Sequence, residues 1–125
     1  MLVRPGHSAR ASMVVTEADT AVAMRSGDVP VLGTPRLVAL CEEAACAAVA
    51  GKLGEHKTSV GVQVQFDHLA PVQVGSEVTA EATLEKVEGR RLVFTVTAAD
   101  HAGLVGAGRM VRVVVDEQSF LAKAR

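Results

Sequence analysis

Aromatic side chains are scarce in this sequence of 125 residues, which contains three phenylalanines and neither tryptophan nor tyrosine. Hydrophobic residues nevertheless make up 49% of the chain. The core must therefore be built from small side chains, mainly valine, alanine and leucine. A chain of this length is expected to form a single domain, residues 1–125, around one core.

Further absences narrow the class of protein. The formal net charge is −1 at pH 7, which provides no electrostatic footprint for nucleic acid or a membrane surface. No apolar run is long enough to span a bilayer, and the first ten residues lack the apolar centre of a signal peptide. We therefore expect a cytoplasmic protein with neither a nucleic-acid nor a membrane partner.

The cysteine content is also low. Cys41 and Cys46 are the two cysteines, and both fall in one predicted helix. Their spacing suits neither a disulfide nor a zinc knuckle, so both are predicted to be buried thiols in a reducing compartment.

The stretch from Gly33 to Ala50 predicts the one long helix of the chain. Thr34 is expected as its N-cap, and Pro35 follows at the first helical position, where the missing N–H costs nothing. Gly51 and Gly54 end the helix. At about 100° per residue, one face is apolar, formed by Leu37, Val38, Leu40, Cys41, Ala44, Ala45, Ala48 and Val49.

Two adjacent carboxylates in this helix take different positions relative to that face. Glu43 falls roughly 160° from its centre and is expected in solvent, whereas Glu42 falls about 100° away, at the shoulder of the buried stripe. Helix geometry leaves two interpretations of Glu42 open: a boundary carboxylate that reaches out to water, or a functional group at the edge of a pocket.

After the helix the hydrophobic period changes to two, which indicates β-strands. In the predicted strand Val60–His68, one face is expected to carry Val60, Val62, Val64, Phe66 and His68. His68 is then either a satisfied core residue or a functional one. Further strands are predicted at Val74–Val87, Arg91–Ala99 and Leu104–Val115.

The remaining segments complete an α+β architecture. Residues 1–10 are expected to be loose, Ser12–Val15 to form a short strand, and Thr16–Leu32 a partly helical loop. Gly106 and Gly108 imply a bulge or a close backbone approach in the last strand. Strands joined by tight turns are antiparallel neighbours, so we expect a curved antiparallel sheet of about five strands wrapped around the one long helix.

The order of these motifs resembles the hotdog-fold acyl-CoA thioesterases, and among them the fluoroacetyl-CoA thioesterase-like family. The likeness extends from about Val31 to the C-terminus without gaps. The matching positions are Thr34, Glu42 with Ala44–Cys46, Ser59–Gly61, Asp67–Gly75, Val87–Leu92, Gly106–Gly108 with Arg112, and Phe120–Lys123.

The resemblance implies a set of functional residues. Thr34, Glu42 and His68 occupy the positions of the family's catalytic Thr, Glu and His, whereas Gly61 and Arg112 occupy positions near the acyl group. Gly33, at the start of the helix, is expected to bind substrate as well. The resemblance also implies an acyl-CoA substrate, no metal or other cofactor, and a homodimer with the acyl site at the subunit interface, in which two dimers can pair into a tetramer.

One segment departs from the family pattern. The fluoroacetyl enzyme closes its pocket with a lid containing phenylalanines, which precedes the catalytic Thr. The corresponding stretch here, Met24–Gly33, is shorter and has no aromatic residue, and Met110 stands where the family usually shows a His. We therefore expect a short-chain or aryl-acyl substrate range rather than selectivity for a fluorinated acyl group.

The residues themselves suit thioester hydrolysis. The start of a helix supplies unpaired N–H groups and a positive dipole end, which stabilise an oxyanion. Glu42, about two turns further on, can either activate water or attack the carbonyl directly, and His68 can hydrogen-bond Glu42 or move the proton. Thr34 would orient the carbonyl or the water, although a Thr before Pro at a helix start is also an ordinary cap.

Two other functions are compatible with the same fold. One is a non-catalytic acyl-CoA-binding module, although pure binding gains little from burying ionisable groups. The other is an enoyl-CoA hydratase-type hotdog enzyme, which is disfavoured because Asp67 and His68 are adjacent and would face opposite sides of a strand.

Overall fold

One long helix lies against a five-stranded antiparallel sheet in the computed structural model, which describes residues 1–125. In chain order the elements are β1 (Ser8–Val14), a 3₁₀ turn (Glu17–Asp19), α1 (Ala21–Met24), α2 (Thr34–Ala48), β2 (Lys57–His68), β3 (Glu77–Glu88), β4 (Arg91–Asp100), β5 (Gly103–Asp116) and α3 (Glu117–Leu121). The predicted α+β class, with a curved sheet and one long helix, is confirmed. None of the helices has the length and hydrophobicity needed to cross a membrane.

Helix α2 buries the face predicted from its sequence. Its buried residues are Leu37, Leu40, Cys41, Ala44, Ala45 and Ala48, and the helix packs chiefly against β1 and β3. The small alanines let the helix lie close to the sheet. Desolvation, assisted by the neighbouring Glu42 charge, raises the pKa of the Cys41 thiol to about 11. Cys46 is exposed, so the prediction that both thiols are buried is wrong for this residue.

The start of α2 differs from the prediction by one residue. Gly33 is the N-cap, since its carbonyl accepts the N–H of Leu37 at 3.1 Å, and Thr34 is already helical. No side chain caps the helix. The predicted N-cap role of Thr34 is therefore wrong. The physical reason is that the Thr34 hydroxyl has a partner distant in sequence, His68.

The strands follow the order β1-β3-β4-β5-β2. Only β3, β4 and β5 form a meander of successive hairpins, whereas β2 lies at the edge beside β5. The segment after His68 leaves that edge and passes α2, where the Leu32 N–H donates to the Val72 carbonyl at 2.8 Å. The expectation that tight turns join all four later strands is thus wrong for β2 and β3.

Strand β1 begins earlier than predicted. It pairs with β3 from Ser8 opposite Thr83 to Val14 opposite Glu77, so Ser8–Arg10 are in the sheet rather than loose. Ala9, Ala11 and Met13 pack against the core on alternate positions. Two of these inward residues are alanines, and their small side chains make the alternation weak in the sequence.

The loop before α2 is tied to the helix through Asp19. The Thr16 backbone N–H donates to Asp19 Oδ2 at 2.8 Å, and Arg36 Nε in the first turn of α2 lies 3.3 Å from Asp19 Oδ1. The backbone hydrogen bond from Thr16, with smaller contributions from its hydroxyl and from Arg36, lowers the pKa of Asp19 below its ordinary value. This carboxylate therefore stabilises the folded state in its charged form.

We expect Asp19→Asn to lower the free energy of unfolding by about 1 kcal/mol at pH 7. Because the folded pKa of Asp19 is depressed, its contribution is present above the unfolded pKa and is lost as the pH falls through the folded pKa. Urea denaturation at pH 7 and at a series of lower values should show the difference from wild type shrinking below pH 5. Asp28→Asn, in the same loop, is the control, and an equal loss there would contradict this assignment.

Candidate active site

Thr34 and His68 form a hydrogen-bonded pair at the start of α2. Thr34 Oγ1 lies 2.7 Å from Nδ1 of His68, and either atom can donate, depending on the imidazole tautomer. Thr34 is the first residue of α2, and His68 is the last residue of β2. His68 Nε2 is buried and has no hydrogen-bond partner within the chain. The pair therefore leaves one imidazole nitrogen available to a ligand or to a second chain.

The helix start offers fewer free N–H groups than the sequence suggested. The Gly33 N–H donates to the Asp19 carbonyl at 2.8 Å, and the N–H groups of Arg36 and Leu37 both donate to the Gly33 carbonyl. Pro35 has no N–H. The Thr34 N–H donates to no acceptor in the chain, so it is the one donor left at this end of α2.

Glu42 and Arg112 form a second pair, deeper along α2. Arg112 Nη1 donates to Glu42 Oε2 at 3.1 Å. The Arg112 side chain is 9% exposed and that of Glu42 is 37% exposed. Glu42 thus lies at the shoulder of the buried face, as predicted, while Glu43 is exposed. The open interpretation of Glu42 is resolved to this extent: its carboxylate points to a buried cation instead of simply reaching water.

A β-bulge in β2 determines which residues face α2. The pairing with β5 runs from Gly61 opposite Arg112 directly to Gln63 opposite Val111, so Val62 is the extra residue. Cross-strand partners share a face of the sheet. Gly61, before the bulge, therefore lies on the same face of the sheet as Arg112. After the bulge, that face carries the even-numbered residues of β2, namely Val64, Phe66 and His68.

The bulge corrects one predicted set of residues. Val60, Val62, Val64, Phe66 and His68 do not share a face, because Val60 pairs with Val113, on the face opposite to Arg112. The phase change brings Gly61 to the face of Glu42. A Cβ on Gly61 would lie 2.7 Å from Glu42 Oε2 and 3.3 Å from Arg112 Nη1. Glycine here makes room for the ion pair.

The predicted close approach at the glycines of β5 is confirmed. A Cβ on Gly106 would lie 2.5 Å from Cζ of Phe66, and one on Gly108 would overlap the Gln65 carbonyl. A register shift at Val105 also provides the predicted bulge. The Phe66 ring therefore lies across β5 on the face that carries His68.

A cavity of about 310 Å³ adjoins the Thr34–His68 pair. It lies between the loop before α2 and the segment after β2, and His68 is the only ionisable side chain that lines it. Its walls are Ala21, Ser26, Gly27, Val29, Val31, Leu32, Thr34, His68, Leu69, Ala70 and Pro71. Glu42, Gly61 and Arg112 do not line it.

Within one chain the predicted site residues therefore form two groups. Thr34 and His68 lie together, and Glu42, Arg112 and Gly61 lie together. Eight residues along a helix separate Thr34 from Glu42 by about 12 Å, and the strand from Gly61 to His68 spans roughly 20 Å. The expected hydrogen bond between His68 and Glu42 is not formed within the chain. Gly33, the N-cap, is buried, and its N–H already donates to the Asp19 carbonyl.

Sequence reasoning assigned no role to Ser59, which holds Arg112. Arg112 Nε donates to Ser59 Oγ at 2.9 Å, and Nη2 donates to the Ser59 carbonyl at 3.0 Å. Its role could have been predicted from its position two residues before Gly61, because residues two apart share a face of a strand.

The same architecture occurs in known proteins. A crystal structure of the fluoroacetyl-CoA thioesterase FlK superposes with a TM-score of 0.91 at 31% identity, covering 97% of this chain and 94% of FlK. A hot-dog-like protein from Thermanaerovibrio acidaminovorans superposes at 0.89 with 32% identity, covering 98% and 90%. Structures of FlK variants have also been solved with acetyl-CoA and with fluoroacetate and CoA. The fold is thus that of the hot-dog thioesterases.

Sequence comparison identifies the family within this class. A profile described as FlK, fluoroacetyl-CoA-specific thioesterase, matches residues 15–118. The fluoroacetyl-CoA thioesterase of Streptantibioticus cattleyicolor is 37% identical over 95 residues, which make up 76% of this chain and 68% of that enzyme. The chain belongs to the FlK family of thioesterases, and the predicted family resemblance is confirmed.

The contact at Gly61 generates a prediction about stability. Gly61→Ala should lower the free energy of unfolding by about 1 kcal/mol, because the new methyl group displaces Glu42 from Arg112. In a Glu42→Ala background, which removes the clashing carboxylate, the same substitution should have little effect. Thermal or urea denaturation of the four proteins measures the difference, and Gly27→Ala is the control. Equal losses in both backgrounds would show that Gly61 does not act through Glu42.

Proposed function

We propose that this protein hydrolyses acyl-CoA thioesters to a free acid and CoA, at a site shared by two copies of the chain. The observation that carries the proposal is the Thr34–His68 hydrogen bond beside the cavity, in a member of a thioesterase family. The CoA-containing structures of FlK variants support acyl-CoA as the substrate class. Asp67 and His68 lie on opposite faces of β2, which gives no support to a hydratase-type pair.

The separation of Glu42 from His68 supports a homodimer. Strand β2 is an edge strand, and Val62 and Val64 on it are 52% and 44% exposed. An edge strand with exposed apolar residues readily pairs with another strand. Two copies that pair antiparallel through β2 about a twofold axis place the His68 end of one strand beside the Gly61 end of the other.

In this dimer each site takes residues from both copies. One copy supplies Thr34 and His68, and the second copy supplies Glu42 with Arg112 and Gly61. The two groups that are distant within a chain thereby meet across the interface. The assembly of dimers into a tetramer stays a prediction, as does the cytoplasmic location.

The reaction then proceeds with each group in a defined role. The Thr34 N–H, at the positive end of α2, donates to the thioester oxygen as it becomes an oxyanion. The Glu42 carboxylate of the second copy either removes a proton from the attacking water or attacks the carbonyl carbon itself. The C–S bond breaks and CoA leaves as a thiolate. Where Glu42 has attacked the carbonyl itself, water then hydrolyses the resulting acyl anhydride, which releases the free acid and restores the carboxylate. The Nε2 atom of His68, whose ring Thr34 orients, accepts and then releases the proton that the attacking water loses.

The lining of the cavity supports a range of small acyl groups. Apart from His68, its residues are aliphatic or small, and Met24–Gly33 has no aromatic side chain to close over the substrate. Gly61 and Arg112 are proposed to lie near the acyl group through their contact with Glu42. We propose short-chain or aryl-acyl-CoA substrates for this chain, while specificity for fluoroacetyl-CoA is described for FlK.

Glu42→Ala should lower kcat by two orders of magnitude or more, because the carboxylate that acts on water or on the carbonyl is lost. Glu43→Ala is the matched control, because Glu43 is the adjacent carboxylate and is exposed. Its Oε1 lies 4.0 Å from Nη2 of Arg36, so it also has an arginine neighbour. Release of the CoA thiol, followed colorimetrically over a panel of acyl-CoAs, measures both variants. Wild-type protein that binds acyl-CoA without releasing thiol would instead favour a binding module.

Mixing two inactive variants tests the shared site. In a heterodimer of a His68→Ala chain with a Glu42→Ala chain, one site carries both lesions and the other carries neither. When equal amounts of the two chains are unfolded and refolded together, random pairing makes half of the dimers heterodimers. One of the two sites in each heterodimer is intact, so the mixture should recover about a quarter of wild-type activity. If each site were formed within one chain, every site would carry a lesion and the mixture would stay inactive.

A further inference from the structure

The geometry around Arg112 points to a positioning residue for catalysis. We propose that Ser59 fixes the direction of the Glu42 carboxylate, acting through the Arg112 guanidinium. The inference rests on the proposed function, because it concerns how the reacting carboxylate is held.

Three hydrogen bonds define the orientation of Arg112. Ser59 accepts two of them, from Nε to its hydroxyl at 2.9 Å and from Nη2 to its carbonyl at 3.0 Å. Both donors belong to the planar fork of the guanidinium, so accepting both fixes its plane. The third bond, from Nη1 to Glu42 Oε2 at 3.1 Å, then has only one direction available.

Because Arg112 is buried, the loss of one of its hydrogen-bond acceptors is costly. The Arg112 side chain is 9% exposed, so water cannot readily replace a lost acceptor at Nε. The Glu42 side chain is 37% exposed, and only its Oε2 is bonded to Arg112. Ser59 and Arg112 thus hold one carboxylate oxygen, and the other stays accessible to water or a thioester.

The position of Ser59 follows from the sheet. Ser59 pairs with Val114, and Gly61 pairs with Arg112, on the same face of neighbouring strands. Arg112 therefore reaches diagonally back to Ser59, while the missing side chain at Gly61 lets Glu42 approach from α2. Thr58, which pairs with Val115, lies on the other face and cannot take this role.

Ser59→Ala removes the acceptor of Nε and frees the guanidinium to rotate. We expect kcat to fall about tenfold, since small displacements of a reacting group are costly, while KM changes less than about twofold. Ser59→Thr keeps the hydroxyl in a residue suited to a strand, and it should restore most of the activity. Thr58→Ala should leave both constants close to wild type.

A double-mutant cycle separates positioning from a merely structural effect. If Ser59 acts through Arg112, then Ser59→Ala in an Arg112→Met background should change neither kcat nor the midpoint of thermal unfolding further. The thermal measurement keeps the cycle informative when Arg112→Met has little activity.

The outcomes distinguish this inference from the proposed function. Wild-type protein that hydrolyses no acyl-CoA would end the proposed function whatever Ser59 does. Wild-type hydrolysis with an unchanged kcat in Ser59→Ala, an equal loss in Thr58→Ala, or full additivity with Arg112→Met would overturn the role of Ser59 alone.

Discussion

The ion pair between Glu42 and Arg112 joins two parts of the molecule that otherwise have little contact. Helix α2 packs mainly on β1 and β3, whereas Arg112 comes from β5, beside the edge strand β2. A buried guanidinium needs a charged partner, and removing one partner leaves the other uncompensated. Together with the Thr34–His68 hydrogen bond, the pair restricts the rotation of α2 relative to this half of the sheet, and it makes glycine the residue suited to position 61.

Local sequence patterns correctly predicted those elements whose structure depends on residues close together in the sequence. The apolar face of α2 and the strands β3, β4 and β5 follow from periodicity, turn residues and Pro35. The errors arose where a distant partner decided the outcome. Thr34 is a good cap by local criteria, yet its hydroxyl bonds to His68, 34 residues away. The pairing of β2 with β5 rather than β3 is also non-local, and no hydrophobic period specifies it.

The site residues were predicted through family spacing, whereas their grouping was not. The sequence placed Thr34, Glu42 and His68 on suitable elements but could not show that about two turns of helix keep Glu42 away from the other two. The bulge at Val62 was hidden because valines continue through it. The glycine at 61, read as part of an alternating strand, was the one residue that could have signalled the phase change.

The loop before α2, which borders the cavity, is held in place by backbone hydrogen bonds at several points. The Ala21 N–H donates to Val31, the Leu32 N–H to Val72, and the Gly33 N–H to Asp19. These bonds join the loop to α1, to the segment after β2 and to the 3₁₀ turn. The width of the cavity is thus a property of the folded scaffold, and side chains such as Val29 and Leu69 adjust it.

The extra residue in β2 also restricts how the length of this strand can vary. Gly61 and His68 differ by an odd number of positions, and only the bulge allows both to face α2. A single insertion or deletion between them would turn one of the two toward solvent. Homologues and redesigned versions are therefore expected to change this segment by paired residues, or to move the irregularity along the strand without losing it.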